Sequence, residues 1–304
     1  MNDTDLIPRL IIDTDFETDC DDAGALAIAH KLADEKLIDL AAVNASVNSP
    51  LPALGAAALN AAFGRRNLPV GCNTSCADTP EYNAHRDNTG KLLYHYRLPE
   101  ICFASENSII SSKELYLRLL NDAPDNSITI CAIGLLTSLA ELIDDGHLEL
   151  MHRKVKAIYT MAKAEYPSGK DCFNWKMNRR AAATVLNNFK NRIVVSSCGS
   201  DILTCAPDGI SRRSLILKCA YTAMGDGNEN FYRPSWDQIT VLAAAGALAD
   251  HTRLSGPGFI KFDPESGEHS FTPDEKGNFH FLIQTSEKET LTRCVQEWMD
   301  KACR

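Results

Sequence analysis

The sequence predicts an α/β fold: an open, mainly parallel sheet flanked by helices, with a small antiparallel addition towards the C-terminus. Three observations carry that expectation. Apolar runs of strand length alternate with helical patterns along the first two thirds of the chain, the mark of βα units that feed a parallel sheet. With 44% hydrophobic and 23% charged residues, the composition is that of an ordinary globular chain and not of a disordered, fibrous or disulfide-stapled one. The 304 residues can bury one large core, and no repeat, low-complexity tract or linker divides them, so a single domain over residues 1–304 is expected.

The elements follow in order. Leu10 to Asp13 reads as a first strand, Ala23 to Leu32 as a helix, Leu40 to Ala45 as a second strand and Ala53 to Phe63 as an Ala-rich helix. Asn67 to Gly71 begins a third strand. A polar stretch from Asn73 to about Glu106 then holds His85, Asn88, Gly90 and His95, a length that usually marks a functional lid or a poorly ordered segment. Ser127 to Ile133 is an uninterrupted strand run followed by a helix from Leu136 to Ile143. Val155 to Met161, Asn178 to Phe189 and Arg192 to Ser196 repeat the strand, helix, strand pattern. Two more helices are expected at Ser214 to Ala223 and Trp236 to Ala249, with a Gly- and Asn-rich loop between them. Phe259 to Phe262, Ser270 to Thr272 and Asn278 to Gln284 read as short antiparallel strands before a terminal helix ending near Trp298.

Charge and cysteine use narrow the function. Lys and Arg total 31 against 40 Asp and Glu, a formal charge of −9 that argues against a nucleic-acid polymer and in favour of a neutral or cationic small ligand or a metal cation. No apolar run reaches the roughly 20 residues of a membrane span, and the acidic N-terminus lacks a signal-peptide core, so a cytoplasmic location and no membrane partner are expected. The eleven cysteines form no C-x-x-C pair; Cys72 and Cys76 are nearest, and buried thiols are the expected use.

The strongest chemical signal is the segment from Ile11 to Asp22, where Asp13, Asp15, Asp19, Asp21 and Asp22 crowd the turn between a strand and a helix. Carboxylates held this close raise one another's pKa, and a hard divalent cation with oxygen ligands relieves the repulsion. Capping of the helix that begins at Ala23 would need only one or two of them. A strand followed by Asp-x-Asp also opens the haloacid-dehalogenase-like phosphatases, but their pattern has Thr or Val where this chain has Glu17, and a convincing distal Asp-Asp pair is missing.

Asp13-Thr14-Asp15 followed by Asp21-Asp22-Ala23 resembles the opening signature of the inosine-uridine-preferring nucleoside hydrolases, D-x-D-P-G-x-D-D-A, in the longer spacing of a divergent branch. Further landmarks keep the family's order. Ala132 to Ala140 is similar to its G-P-L-T-N-[IL]-A segment. Phe173-Asn174, with Asn178 and Ala181-Ala182, is similar to E-F-N and D-P-E-A-A. Pro234 to Asp237 resembles the late [HW]-D-P-x-A motif, and Gly64-Arg65 before Leu68 to Gly71 also fits. The resemblance implies a nucleoside-hydrolase-like fold and calcium-dependent hydrolysis of the N-glycosidic bond of a small-molecule ribonucleoside, in a homodimer or homotetramer. Residue by residue, it implies a calcium ion (Ca2+) on Asp15, Asp22, the Ile133 carbonyl and Asp237. It further implies Asp15 as general base, Asp21 on a ribose hydroxyl with Asp19 competing for that role, and Asn174 on the ribose.

The departures from the pattern matter as much. Cys172 stands where E-F-N has its glutamate, and Asp171, one position earlier, would face the other way on an extended segment. Ser46 stands near the place of a sugar-binding asparagine, with Asn44 and Asn48 close by, so Asn48 is a candidate substrate contact. Trp236 replaces the histidine that protonates the leaving base in purine-accepting members; it can stack on a base but cannot act as an acid at neutral pH. His85 is the candidate acid from the long loop, and the stretch from Tyr221 to Tyr232, with Phe231 and Arg233, is a candidate aromatic lid. A catalytically weakened nucleoside- or ribose-binding protein that retains the metal is the alternative these departures leave open.

Overall fold

The computed structural model describes residues 7–89 and 109–304. The chain runs β1 (Arg9–Thr14), α1 (Asp21–Asp34), β2 (Asp39–Ala45), α2 (Pro50–Ala62), β3 (Val70–Cys72), α3 (Pro80–Thr89), β4 (Ile109–Ser111), α4 (Ser112–Asp122) and β5 (Ile128–Ala132). It continues through α5 (Thr137–Asp144), α6 (Leu148–Lys154), β6 (Val155–Met161), β7 (Ser168–Lys170), α7 (Asn174–Met177), α8 (Arg179–Asn188) and β8 (Arg192–Ser196). The last third holds β9 (Leu203–Cys205), α9 (Arg212–Met224), β10 (Tyr232–Pro234), α10 (Trp236–Ala244), β11 (Thr252–Leu254), β12 (Gly258–Phe262), β13 (Glu268–Pro273), β14 (Phe279–Gln284) and α11 (Lys288–Cys303).

One large sheet has the order β4-β3-β2-β1-β5-β6-β8-β14-β12-β13-β7, with β11 beside β14. From β4 to β14 every pairing is parallel, and β12, β13 and β7 add antiparallel strands at one edge. β9 and β10 form a separate antiparallel pair. The central parallel strands β1, β5 and β8 are largely apolar and buried on both faces, as a doubly covered sheet requires. One core joins the sheet to α1, α2, α9, α10 and α11, and another joins the opposite face to α4, α5, α6 and α8. Successive strands step from β1 outward to β4, and the chain then restarts at β5 on the other side of β1. The carboxyl ends of β1 and β5 therefore meet at a topological switch point, where open α/β sheets bind ligands.

Several elements differ from the sequence expectation. The segment expected as a last antiparallel strand, Asn278 to Gln284, does pair antiparallel with β11 and β12, but on its other side it pairs parallel with β8, Phe279 opposite Ile193, and extends the main sheet. The third strand begins at Val70, the helix from Trp236 ends at Ala244 in a turn, and the terminal helix runs past Trp298 to Cys303. Part of the long polar stretch forms α3; Gly90 and His95, with the second half of that stretch, lie outside the described residues. No helix of the described residues is long and apolar enough to cross a membrane.

Candidate active site

The floor of the site is set where β1 and β5 end. Backbone N–H groups of Ile133 and Gly134 both donate to the Asp13 carbonyl, at 2.7 and 3.1 Å, which draws the two strand ends together. Gly134 is required there: a Cβ would lie 2.5 Å from the Asp15 backbone nitrogen and 2.7 Å from the Thr14 carbonyl carbon. Asp13 itself is structural. Its buried carboxyl accepts from Asn44 at 3.1 Å and from the Tyr116 hydroxyl, and burial pushes its pKa up to about 7.

Two helices then aim their first turns at this floor. Asp21 and Asp22 open α1, and Asp237 lies in the first turn of α10, so all three sit where the helix dipoles favour negative charge. Small residues let the helices approach: a Cβ on Gly24 would lie 2.6 Å from Gln238 Nε2. One oxygen from each of Asp21, Asp22 and Asp237 falls within 4.8 Å of the others, all three residues buried. Asp22 is oriented by the Thr14 hydroxyl, which donates to its Oδ1. Burial is the largest influence on the carboxyls of Asp15, Asp21, Asp22 and Asp237, with repulsion among neighbouring carboxylates beside it, and together they hold these groups well above the usual carboxylate range.

A cavity of about 270 Å³ opens over these groups. Asp15, Asp21, Asp22, Asp237, Ile133 and Asn174 line it, and His85 and Trp236 stand farther along its wall. Asn174 enters from the start of α7. Its Nδ2 donates to the Ile133 carbonyl at 2.9 Å and to the Met161 carbonyl at 3.2 Å, which leaves its Oδ1 as the acceptor for a ligand. His85 lies 4.8 Å from Phe173 in an edge-on ring contact, and burial lowers its pKa. Trp236 donates its indole N–H to Ser200 at 3.0 Å, and Arg233 and Lys163 lie 5.3 and 5.7 Å from the centre of its ring, so its ring is what it presents to the cavity beside those two cations. Asp19 takes a two-pronged contact from Arg233, whose Nε lies 2.9 and 3.1 Å from its two oxygens.

Not every residue named from sequence joins this group. Asn48 is exposed, its side chain donates to the Cys76 carbonyl at 3.2 Å, and it does not line the cavity. Asp171 is turned away as well, accepting from the backbone of Phe173 and Trp175 at 3.1 and 2.7 Å, whereas Cys172 faces the cavity. The candidate aromatic lid brings neither tyrosine to the cavity, Tyr221 being fully buried on α9 and Tyr232 sitting in the small β9–β10 sheet, whereas Met224 and Arg233 from the same stretch line it. Sequence reasoning missed Lys163 and Met161 on the wall. It also missed the clamp in which Arg86 on α3 donates to Glu17 at 2.7 Å and Asp78 at 2.5 Å, tying the helix that carries His85 to the acidic loop. Only the acidic character of Glu17 hinted at that pair.

No family model matches the chain, and no curated protein matches it. Solved structures do. A plant nucleoside hydrolase, PpNRh1, superposes with a TM-score of 0.68 at 18% identity, over 97% of this chain and 99% of that one. The inosine-uridine preferring nucleoside hydrolase from Bacillus anthracis matches with a TM-score of 0.68 at 14% identity, over 97% of this chain and 99% of that one. The type III effector protein XopQ, solved with adenosine diphosphate ribose, matches with a TM-score of 0.73 at 14% identity, over 99% of this chain and 94% of that one. The fold is therefore that of the nucleoside hydrolases, and it also occurs in an effector.

Proposed function

We propose that this protein hydrolyses the N-glycosidic bond of a ribonucleoside to ribose and a free base, with a calcium ion held by Asp15, Asp22, the Ile133 carbonyl and Asp237. The observation that carries this reading is that Asp22 and Asp237, with Asp21 beside them, bring carboxylate oxygens within 4.8 Å of one another in the cavity that Asp15 and Ile133 also line, at the sheet's switch point. The donor set suits a hard divalent cation, which takes six to eight oxygens. Asp15 Oδ2 is buried and without a hydrogen-bond partner among the described residues, as a metal-directed oxygen would be. When bound, such an ion makes water more acidic and fixes sugar hydroxyls.

The chain's own groups supply the rest. Asp15 takes one proton from the attacking water, whose oxygen bonds to C1 of the ribose as the C1–N bond breaks and its electron pair leaves with the base. Asp21 and the Oδ1 of Asn174 accept from ribose hydroxyls and place negative potential under a sugar that becomes cationic in the transition state. The Trp236 face packs on the ligand, and His85 on α3 is the group that gives a proton to the departing base. That XopQ, which shares the fold, was solved with adenosine diphosphate ribose supports a riboside as the ligand class.

A second reading is favoured by one observation. Cys172 puts a neutral thiol on the cavity wall at the place where the resembling family has glutamate, which suits a nucleoside- or ribose-binding protein that keeps the metal. A panel of purified nucleosides, with reducing sugar followed over time in calcium and in chelator, separates the two. Calcium-dependent release from any member supports hydrolysis; binding of nucleosides without release supports the second reading.

A further inference from the structure

We infer that the cavity selects a riboside whose sugar carries a phosphate monoester, and that Lys163 is the residue that recognises it. This names a substrate class for the site proposed above and rests on that reading for its location.

Charge along the cavity is divided. The carboxylates gather where α1 and α10 begin, and two cations, Arg233 and Lys163, line the remainder. Arg233 is committed to Asp19 through both carboxylate oxygens. Lys163 forms no ion pair among the described residues, and its ammonium lies 5.7 Å from the centre of the Trp236 ring, an attraction that holds a cation on that wall. It follows β6 by two residues, beyond Met161, whose carbonyl Asn174 grips, so its backbone is anchored to the ribose-facing part of the site. Cys172 lies close enough to feel its charge, which opposes the upward push that burial gives the thiol.

The chemistry follows from what is missing on that wall. A glutamate at position 172 would neutralise Lys163; a thiol leaves the ammonium to the ligand. With the ribose vicinal hydroxyls at the carboxylates and the base at C1, the sugar's remaining exocyclic oxygen is the one on C5. A neutral hydroxyl there would gain an ordinary hydrogen bond, and a phosphate dianion would gain a charge-assisted one. The chain's net charge of −9 repels anions at a distance, so the selection must be local. Hydrolysis is otherwise unchanged: water adds at C1, the base leaves, and the product is ribose 5-phosphate.

The test titrates ribose 5-phosphate, ribose and inorganic phosphate into the wild type, Lys163→Gln and Lys163→Arg by calorimetry. The phosphorylated sugar should bind roughly 10- to 100-fold more tightly than ribose, Lys163→Gln should remove most of that advantage, and Lys163→Arg should keep most of it. In steady-state assays, the ratio of kcat/KM for a nucleoside 5′-monophosphate over its nucleoside should fall in Lys163→Gln through a rise in KM. Equal binding of ribose and ribose 5-phosphate, an advantage that survives Lys163→Gln, or inorganic phosphate binding as tightly as the sugar phosphate would overturn the inference. If ribose 5-phosphate binds in a Lys163-dependent way while no riboside is hydrolysed, the hydrolytic reading fails and this one stands. Nucleoside hydrolysis without sugar-phosphate binding would do the reverse, upholding hydrolysis and overturning the phosphate selection.

Discussion

The carboxylates of Asp22 and Asp237, from opposite ends of the chain, approach within 4.8 Å because the helices that they open pack against each other. Asp21 completes the group, and the cation that acts on Asp21, Arg233, is paired with Asp19. Asp237→Asn keeps the shape and removes one of the repelling charges. The metal-free variant should therefore be more stable than metal-free wild type, because a neutral amide escapes both the burial cost and the repulsion that raise the Asp237 carboxyl. Its Tm should no longer rise with added calcium, whereas that of the wild type should. Calorimetry that found the same calcium affinity in both proteins would sink the shared site.

Gly134 tests the floor from below. An alanine Cβ there meets the backbone of Asp15 and Thr14, which cannot rotate away as a side chain can. Gly134→Ala should cost about 1 to 3 kcal/mol in urea denaturation through overpacking. It should also weaken calcium binding, because the two strand ends that present Asp15 and the Ile133 carbonyl are forced apart. A variant with lowered stability but unchanged calcium affinity would show that the strand ends do not position the ligands.

Much of this site is legible in the sequence, for reasons that differ by residue. Asp15, Asp21 and Asp22 share one strand-turn-helix unit, so their proximity follows from local geometry, and Ile133 follows a strand that parallel pairing puts beside the first. Asn48 departs from its expected place because Ser49 caps α2 and turns the chain outward, its hydroxyl accepting from Leu51 N–H. Tyr221 has the composition of lid material, but helix α9 turns it inward to a hydrogen bond from Gln238 at 3.0 Å. Lys163 is invisible in the sequence: a lone lysine after a strand has no local signature, and its meaning comes from Trp236 on a distant helix. The parallel partner of β14 is likewise hidden, since the strand's own residues read the same whether β8 beside it runs parallel or antiparallel.

The buried imidazole of His30 makes a pH prediction. Its Nε2 lies 2.8 Å from Asn60 Oδ1, its ring stacks on Phe63, and burial, with Arg65 beside it, pushes its pKa down to about 3. Between pH 6.5 and about 3 the unfolded chain binds a proton there that the folded chain does not, so stability falls as the pH drops through that window and is unaffected above it. Asp13, raised by burial to about 7, acts in the opposite sense, losing stability as the pH rises from 3.8 towards 7. The readout is therefore the difference between proteins. His30→Gln should lose the His30 contribution, making its stability fall less steeply below pH 6.5 by up to about 1.4 kcal/mol per pH unit. Parallel curves for the two proteins would show that His30 takes up its proton over the same pH range in the folded and the unfolded chain, against the effect of its burial.

Cys172 decides between enzyme and binding protein, and it does so together with Lys163. The thiol faces the cavity while its neighbour Asp171 is held by backbone amides, so no carboxylate reaches the sugar from this segment. A neutral group contributes little to a cationic sugar, and one missing electrostatic contact typically lowers a rate by roughly 10²- to 10³-fold. Cys172→Glu should then raise kcat on an unphosphorylated riboside by roughly that factor. Because residue 172 is exposed, the substitution should change stability by no more than about 0.5 kcal/mol. The same carboxylate would neutralise Lys163, so the variant should bind ribose 5-phosphate less tightly than wild type does. A gain on plain ribosides joined to a loss on phosphorylated ones is the expected pair of results. If the wild type already turns over an unphosphorylated nucleoside briskly and Cys172→Glu abolishes that activity, the cysteine is part of the recognition of that substrate and the weakened-enzyme reading is excluded.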